Sequence, residues 1–375
     1  RRERAVKIPV YFKGLGPMFR EDLKQIFDDY YNCLSRHMND AQCIGEMIVD
    51  ERNVSFMFNG ILEILETYLD GKQAEAFEAF GGILNNSANL NSFYDLFRIE
   101  KCRTDVKVDS LLLNLYRCRT DQIPTSLGRR DMFHIPFSRR KLVGRQRYSV
   151  PGLPCLYLGG SVYTCWTELG EPPLHSMVMS RFELLDFSGI YDFGYSTEMV
   201  DTLLNIASQW PQGHSSRSVA IKIVKDYIEL WPLLLALSLD NESQSAPFIH
   251  EYIFPQMFLQ WALRQEDFVG IRYLSNRVCR QFANGISTFV SNYVFPARGD
   301  KHYGDYSETL RERFLLTDPL PWSIAQSVVP SPISTGYNSD STLSVSNRNV
   351  YYGNTEFYQM ESRLSEDSGS KAESF

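Results

Sequence analysis

Near residue 110 the hydrophobic pattern of the chain changes its period, and that change limits the folds open to it. Upstream, Phe19, Leu23, Ile26, Phe27, Tyr30 and Leu34 recur at helical spacing, as do Phe58, Ile61, Leu62, Leu65 and Leu69 before the Asp70-Gly71 stop. Such spacing places apolar side chains on one helix face, and a glycine after the last periodic residue closes the helix. Gln73 to Phe80 reads as a third helix closed by Gly81-Gly82, and Asn85, Asn86, Asn89 and Asn91 mark a loop rich in turn formers. Downstream the apolar runs shorten to the length of buried strands: Leu111 to Arg117, Leu156 to Leu158, Met177 to Leu185, Phe268 to Leu274 and Thr288 to Val290. Helical stretches lie between them at Thr164 to Leu169, Thr197 to Trp210, Ser218 to Leu239 (with Pro232 expected to break it) and Phe248 to Leu263. Strands and helices mix without steady βαβ alternation, which predicts an α+β fold rather than a doubly wound sheet.

The organisation expected is a helical N-terminal domain over 1–105, a mixed catalytic domain over 106–320 and a flexible tail over 321–375. In the tail Ser, Asn, Thr, Gly and acidic residues dominate, and Ser365 to Ser374 is almost wholly polar. Such a segment buries too little surface to offset its ordering entropy.

The net charge of −7 does not favour a nucleic-acid partner, since phosphate binding wants clustered, unopposed cations. The best local basic patch is Arg139-Arg140-Lys141 with Arg145 and Arg147, whose plain reading is a solvated loop. Seven cysteines are scattered with no CxxC pair, which points to reduced thiols in a cytosol and offers no zinc-ligand spacing, so no metal is expected. The apolar run Leu230 to Leu239 is about half of what a membrane span needs, and the expectation is a soluble cytoplasmic protein.

Chemistry-bearing residues gather between Gly144 and Glu168. Gly144-Arg145-Gln146-Arg147-Tyr148 reads as a loop, Cys155 to Leu158 as a short strand, and Trp166-Thr167-Glu168 as part of a helix that carries a carboxylate. A P-loop, a GxGxxG turn after a strand and a GxSxG nucleophile elbow are all absent. On residue type alone, Glu168 is a solvated helix residue, Tyr157 a core aromatic, Ser275 a turn residue and Arg117 a surface charge.

Order and spacing change that reading. Leu115-Tyr116-Arg117, Gly144-x-x-Arg147-Tyr148, Tyr157-Leu158, Glu168 and Gly270-Ile271-Arg272-Tyr273-Leu274-Ser275 together resemble the RES domain, named for its Arg, Glu and Ser. The resemblance covers about 110 to 300 and takes in Tyr252 to Trp261, similar to the helix that the family places before its Tyr-x-Ser strand. It implies an ADP-ribosyltransferase-like split sheet that binds NAD⁺ in a cleft, in a family that includes toxins of toxin–antitoxin pairs. Carried over by position, it makes Arg147 the cleft arginine, Tyr157 the tyrosine and Glu168 the carboxylate, with Arg117, Tyr148 and Ser275 as further NAD⁺-binding residues. Tyr148 stands where the family often has Trp, which implies a more polar pocket wall, and the stretch from Asp186 to Ser218 looks longer than in the smallest members.

The implied chemistry suits these residue types. Cleavage between nicotinamide and ribose develops positive charge on the sugar, which a nearby carboxylate, Glu168, stabilises. The guanidinium groups of Arg147 and Arg117 match a diphosphate with forked donors. The Tyr157 ring can stack on nicotinamide, and Ser275 can hydrogen-bond the ribose or the amide. The expected activity is NAD⁺ cleavage as a glycohydrolase or phosphorylase; the alternatives are ADP-ribosylation of a protein and a non-catalytic interaction scaffold. The helical N-terminal region is expected to hold an antitoxin or regulatory partner. Some larger RES proteins carry HEPN-like helical domains there, but Arg36-His37 lacks the nuclease spacing, and Arg129 to His134 has it only in a loop-like stretch outside the bundle.

Overall fold

The structure is a computed structural model. It describes residues 19–40, 51–86, 113–194, 203, 205, 207–239, 247–279, 290–299, 304–327, 342–345, 348–367 and 369–371. The strand expected at Thr288 to Val290 lies largely outside them, as does most of the asparagine-rich loop. The chain divides into two compact units, one of Arg1–Thr104 with Tyr195–Glu266 and one of Asp105–Gly194 with Asp267–Phe375.

The first unit is helical and discontinuous in sequence. Helix α1 (Phe19–Asp40) buries Phe19, Leu23, Phe27 and Tyr30, and α2 (Glu51–Leu69) buries Val54, Met57, Ile61 and Leu65. Helix α3 (Gln73–Asn85) runs on through Gly81-Gly82, because Ile83 and Leu84 beyond them are buried and hold the last turn in place. Gly60 on α2 allows close packing on α3: a Cβ there would lie 2.6 Å from Ile83 Cδ1.

Two later helices complete this unit, α5 (Ser215–Ser238) and α6 (Ile253–Ala262). The Tyr30 ring stacks on Trp231 at 3.8 Å and its hydroxyl donates to Ile228 O at 2.7 Å. Trp261 on α6 donates to Asn85 Oδ1 at 3.1 Å. The helical part is therefore not confined to 1–105, since 195–266, expected within the catalytic domain, belongs with it. Helix α5 also runs through Pro232 unbroken. A mid-helix proline costs about 3 kcal/mol in isolation, but Asp226 to Leu237 are all buried here, and their packing outweighs that cost.

Among the described residues, the second unit is built on a nine-stranded sheet in which eight strands follow the order β11-β7-β3-β1-β2-β6-β5-β4, with β8 pairing β3. These are β1 (Leu113–Thr120), β2 (Cys155–Gly159), β3 (Met177–Leu184), β4 (Ile190–Phe193), β5 (Gly270–Leu274), β6 (Ser291–Pro296), β7 (Phe314–Leu316), β8 (Leu320–Pro321) and β11 (Ser370–Lys371). Among the described residues, only β4 and β5 run parallel. With a mostly antiparallel sheet and helices that do not alternate regularly with its strands, the unit is α+β as expected. A separate hairpin joins β9 (Thr342–Val345) to β10 (Arg348–Tyr351).

Strand β1 pairs with β3 from Leu113 to Thr120, but with β2 at the single position Tyr116↔Gly159. The sheet thus forks beyond that pair, between Arg117–Thr120 and Cys155–Leu158. Helix α4 (Val162–Glu168) follows β2, and the short α7 (Asn276–Cys279) follows β5.

The region expected to be a flexible tail contains packed structure. Helix α8 (Trp322–Ser327) buries Trp322, and α9 (Glu356–Glu366), capped by Thr355, buries Met360 and Leu364 against Trp322, Met177, Met179 and Val162. Arg181 on β3 also donates to the Asp367 carbonyl. Polar residues dilute this segment, but Phe357, Met360, Glu361 and Leu364 share one helical face, and that face is enough to dock it. Among the described residues, no helix is long and apolar enough to cross a membrane.

Candidate functional site

Cα partners in neighbouring strands point to the same face of a sheet. The register therefore sets Tyr116, Gly159, Asn292, Tyr273 and Phe193 in one row across β1, β2, β6, β5 and β4. Tyr157, two residues before Gly159 on β2, shares this face. Gly159 leaves the gap that α4 fills, since a Cβ there would lie 2.7 Å from Cys165 Sγ. The Cys165 thiol donates to Tyr116 O at 3.1 Å. Ser161 caps α4, its hydroxyl accepting from Thr164 N at 3.0 Å. The helix ends after Glu168, where Gly170 and Glu171 adopt left-handed backbone angles of 82° and 58°.

Glu168 leaves the last turn of α4 beside Asn292, the next residue of the row. Its Oε1 accepts from Ser275 Oγ at 2.6 Å and from Asn292 Nδ2 at 2.7 Å. A carboxylate at a helix C-terminus opposes the helix dipole, and Arg277 on α7 offsets this. Its Nη1 donates to Thr167 O at 3.1 Å, and its Nε lies 4.0 Å from Glu168 Oε2. Oε1 thus takes two donors, Oε2 faces the Arg277 guanidinium, and the side chain stays 33% exposed.

The turn from Gln146 to Ser149 lies along the row, where the guanidinium of Arg147 sits 6.0 Å from the Tyr273 ring centroid. Tyr148 anchors that turn. It is fully buried, tilted on Tyr273 at 4.8 Å and stacked on Phe193 at 6.4 Å, and burial raises its pKa above the ordinary value. It is thus packed beneath the turn, not presented as a pocket wall.

The structure thus joins Glu168 and Ser275 directly and puts Tyr157 and Arg147 on the face they share. Arg117 is not joined to them by any hydrogen bond. It follows Tyr116 at the fork and by alternation projects from the other side of β1. Its Nη1 is buried with no hydrogen-bond partner, and burial first, then the Arg119 charge, lower its pKa to about 9. An orphaned guanidinium of this kind suits an anionic group. His134 is structural: Nε2 accepts from Ser307 N at 2.9 Å, Nδ1 lies 2.8 Å from Ile135 O, and burial lowers its pKa to about 4.

Sequence reasoning missed Asn292, Arg277 and Tyr273. Arg277 stands two residues after Ser275, and Tyr273 two before it on a strand already singled out. Asn292 is a lone polar residue at the start of an apolar run, with little to mark it.

No protein-family model matches the chain, and no solved structure does. The chain is 34% identical over 283 residues to a protein of Bacillus subtilis (strain 168) described as "Putative toxin YopC". The match takes in 73% of this chain and 60% of that protein, so the chain spans about three-fifths of its relative's length.

Proposed function

We propose that the chain is a toxin-like enzyme that consumes NAD⁺ by cleaving the bond between nicotinamide and ribose. The observation that carries the reading is the Glu168 carboxylate, fixed through Oε1 by Ser275 and Asn292 and one-third exposed, on the sheet face that bears Tyr157. The likeness to a protein described as a putative toxin supports the biological side, and the fork between β1 and β2 supports a split-sheet, ADP-ribosyltransferase-like cleft.

In this reading the C1′–N bond of the nicotinamide riboside breaks and its electron pair passes to the pyridinium nitrogen, giving neutral nicotinamide. Positive charge grows on the ribose and is met by Glu168, whose geometry is set beforehand and needs no reorganisation. Tyr157 offers a ring face to nicotinamide, and Arg147 offers charge to the diphosphate; Arg117, on the other side of β1, is left out of this step. Water or phosphate then bonds to C1′ and loses its proton, with Glu168 as the nearest base. A protein side chain in place of water makes the same cleft an ADP-ribosyltransferase. A partly exposed carboxylate on the face that also bears Tyr157 and Arg147 favours the enzyme over a non-catalytic scaffold. Free NAD⁺ places the activity in the cytoplasm, and the helical unit is the surface for an antitoxin or regulator.

The test is to incubate the pure protein with NAD⁺ and measure free nicotinamide, with Glu168→Gln and Arg147→Ala alongside. Release by the native protein and its loss in Glu168→Gln are expected. Intact NAD⁺ with the native protein, or full activity of Glu168→Gln, sinks the reading.

A further inference from the structure

Helix α4 presents Glu168 at its C-terminal end, and its N-terminal end is held from nearly two hundred residues away. Glu361 on α9 is 2% exposed, and its Oε1 accepts from Val162 N, the first residue of α4, at 2.7 Å. The same oxygen accepts from Tyr352 Oη at 2.8 Å. Phe357, one turn before Glu361, packs edge-on against Tyr163 at 5.2 Å and tilted against Trp166 at 5.3 Å, two residues of α4.

Ser161 already caps α4 through Thr164 N, so the helix does not need Glu361 in order to form. What Glu361 adds is a fixed point. Helix α4 has seven residues and is about 10 Å long by its rise per residue, so a tilt at one end is carried to the other with little loss. Negative charge at the N-terminus and the Arg277 cation at the C-terminus both complement the helix dipole.

We propose that Glu361 is a positioning residue for Glu168, and that the C-terminal segment from Tyr351 to Glu366 is in this way a working part of the site. The proposal rests on the NAD⁺-cleaving reading for its effect on rate, but not for its effect on α4.

The experiment compares Glu361→Ala and Glu361→Gln with the native full-length chain in two measurements. Hydrogen exchange by mass spectrometry follows the peptide over 161–169, and nicotinamide release gives kcat and KM. Glu361→Ala is expected to speed exchange over 161–169 while the β3 peptide stays as it was. Misplacement of a catalytic group by about 1 Å costs on the order of a hundredfold, so kcat should fall about 10- to 100-fold with KM for NAD⁺ within about threefold. Glu361→Gln keeps an acceptor oxygen and should restore both. Unchanged exchange over 161–169 in Glu361→Ala overturns the proposal, and so does a kcat within about threefold of the native value. If Glu361→Ala does not fold, Tyr352→Phe, which removes a hydroxyl that donates to the carboxylate, takes its place, and unchanged exchange there overturns the proposal. A native protein that leaves NAD⁺ intact refutes the function above, and the exchange measurement still decides the role of Glu361.

Discussion

Ser275 Oγ donates to Glu168 Oε1 across 2.6 Å, joining two residues 107 apart in sequence at the ends of β5 and α4. Ser275 is itself fixed, its amide donating to Val290 O at 2.8 Å and its hydroxyl accepting from Val278 N at 3.3 Å. Ser275→Ala should therefore lower kcat for nicotinamide release about 10-fold, and Asn292→Ala by a similar factor. Because both donate to one oxygen, the double variant should lose less than the product of the two. A fully multiplicative loss would show that the two donors act separately.

Arg277 holds the carbonyl end of α4 through Thr167 O. A charge-assisted hydrogen bond contributes about 1.5–3 kcal/mol, and the side chain is partly exposed, so Arg277→Ala should cost about 1 kcal/mol in a urea unfolding curve. Lysine lacks the forked donor set that spans Thr167 O and the Glu168 carboxylate. Arg277→Ala should also slow nicotinamide release, and Arg277→Lys should recover little of that loss.

Gly159→Ala should be more costly to stability than its size suggests. The added methyl would meet Cys165 Sγ at 2.7 Å and Ser161 O at 3.1 Å, a contact that pushes α4 away from β2. Overpacking of this kind typically costs 1–3 kcal/mol. The denaturation midpoint should drop, and Cys165→Ala in the same chain should recover part of the drop.

Acid should weaken the fold through His134. Its folded pKa of about 4 lies below the 6.5 of the free side chain, so between those values the unfolded chain binds a proton that the native chain does not. The neutral-histidine contribution is complete above about pH 6.5 and declines as pH falls toward 4. It amounts to at most about 3 kcal/mol. His134→Gln should flatten the pH dependence of the unfolding free energy across that window, and an unchanged slope would assign it to other groups.

How far the sequence could be read follows from where each signal lay. The periodic faces of α1 and α2 and the strands β3 and β5 were legible because local pattern and tertiary role agree. Glu168 and Ser275 were legible through order and spacing, although nothing in either segment states that the two side chains meet. Gly81-Gly82 and Pro232 misled because their local cost is real but is outweighed by burial of Ile83, Leu84 and the residues flanking Pro232. Tyr148 misled because a tyrosine beside a candidate arginine looks exposed until Phe193 and Tyr273 are seen to enclose it. The docking of α9 was hidden by composition, since four residues on one face decide it and the polar majority does not.

The parallel pairing of β4 with β5 requires the chain to leave the sheet and return on the same side. Residues 195–266 make that crossover, and they carry α5 and α6, whose apolar faces pack with α1 to α3. A fragment starting at residue 106 would therefore retain Glu168, Ser275, Tyr157 and Arg147 yet expose Trp231 and Phe254 to water. Removing the N-terminal helices is half an excision: it leaves behind a crossover that still needs its partner, and aggregation of such a fragment would say nothing about the chemistry of the sheet.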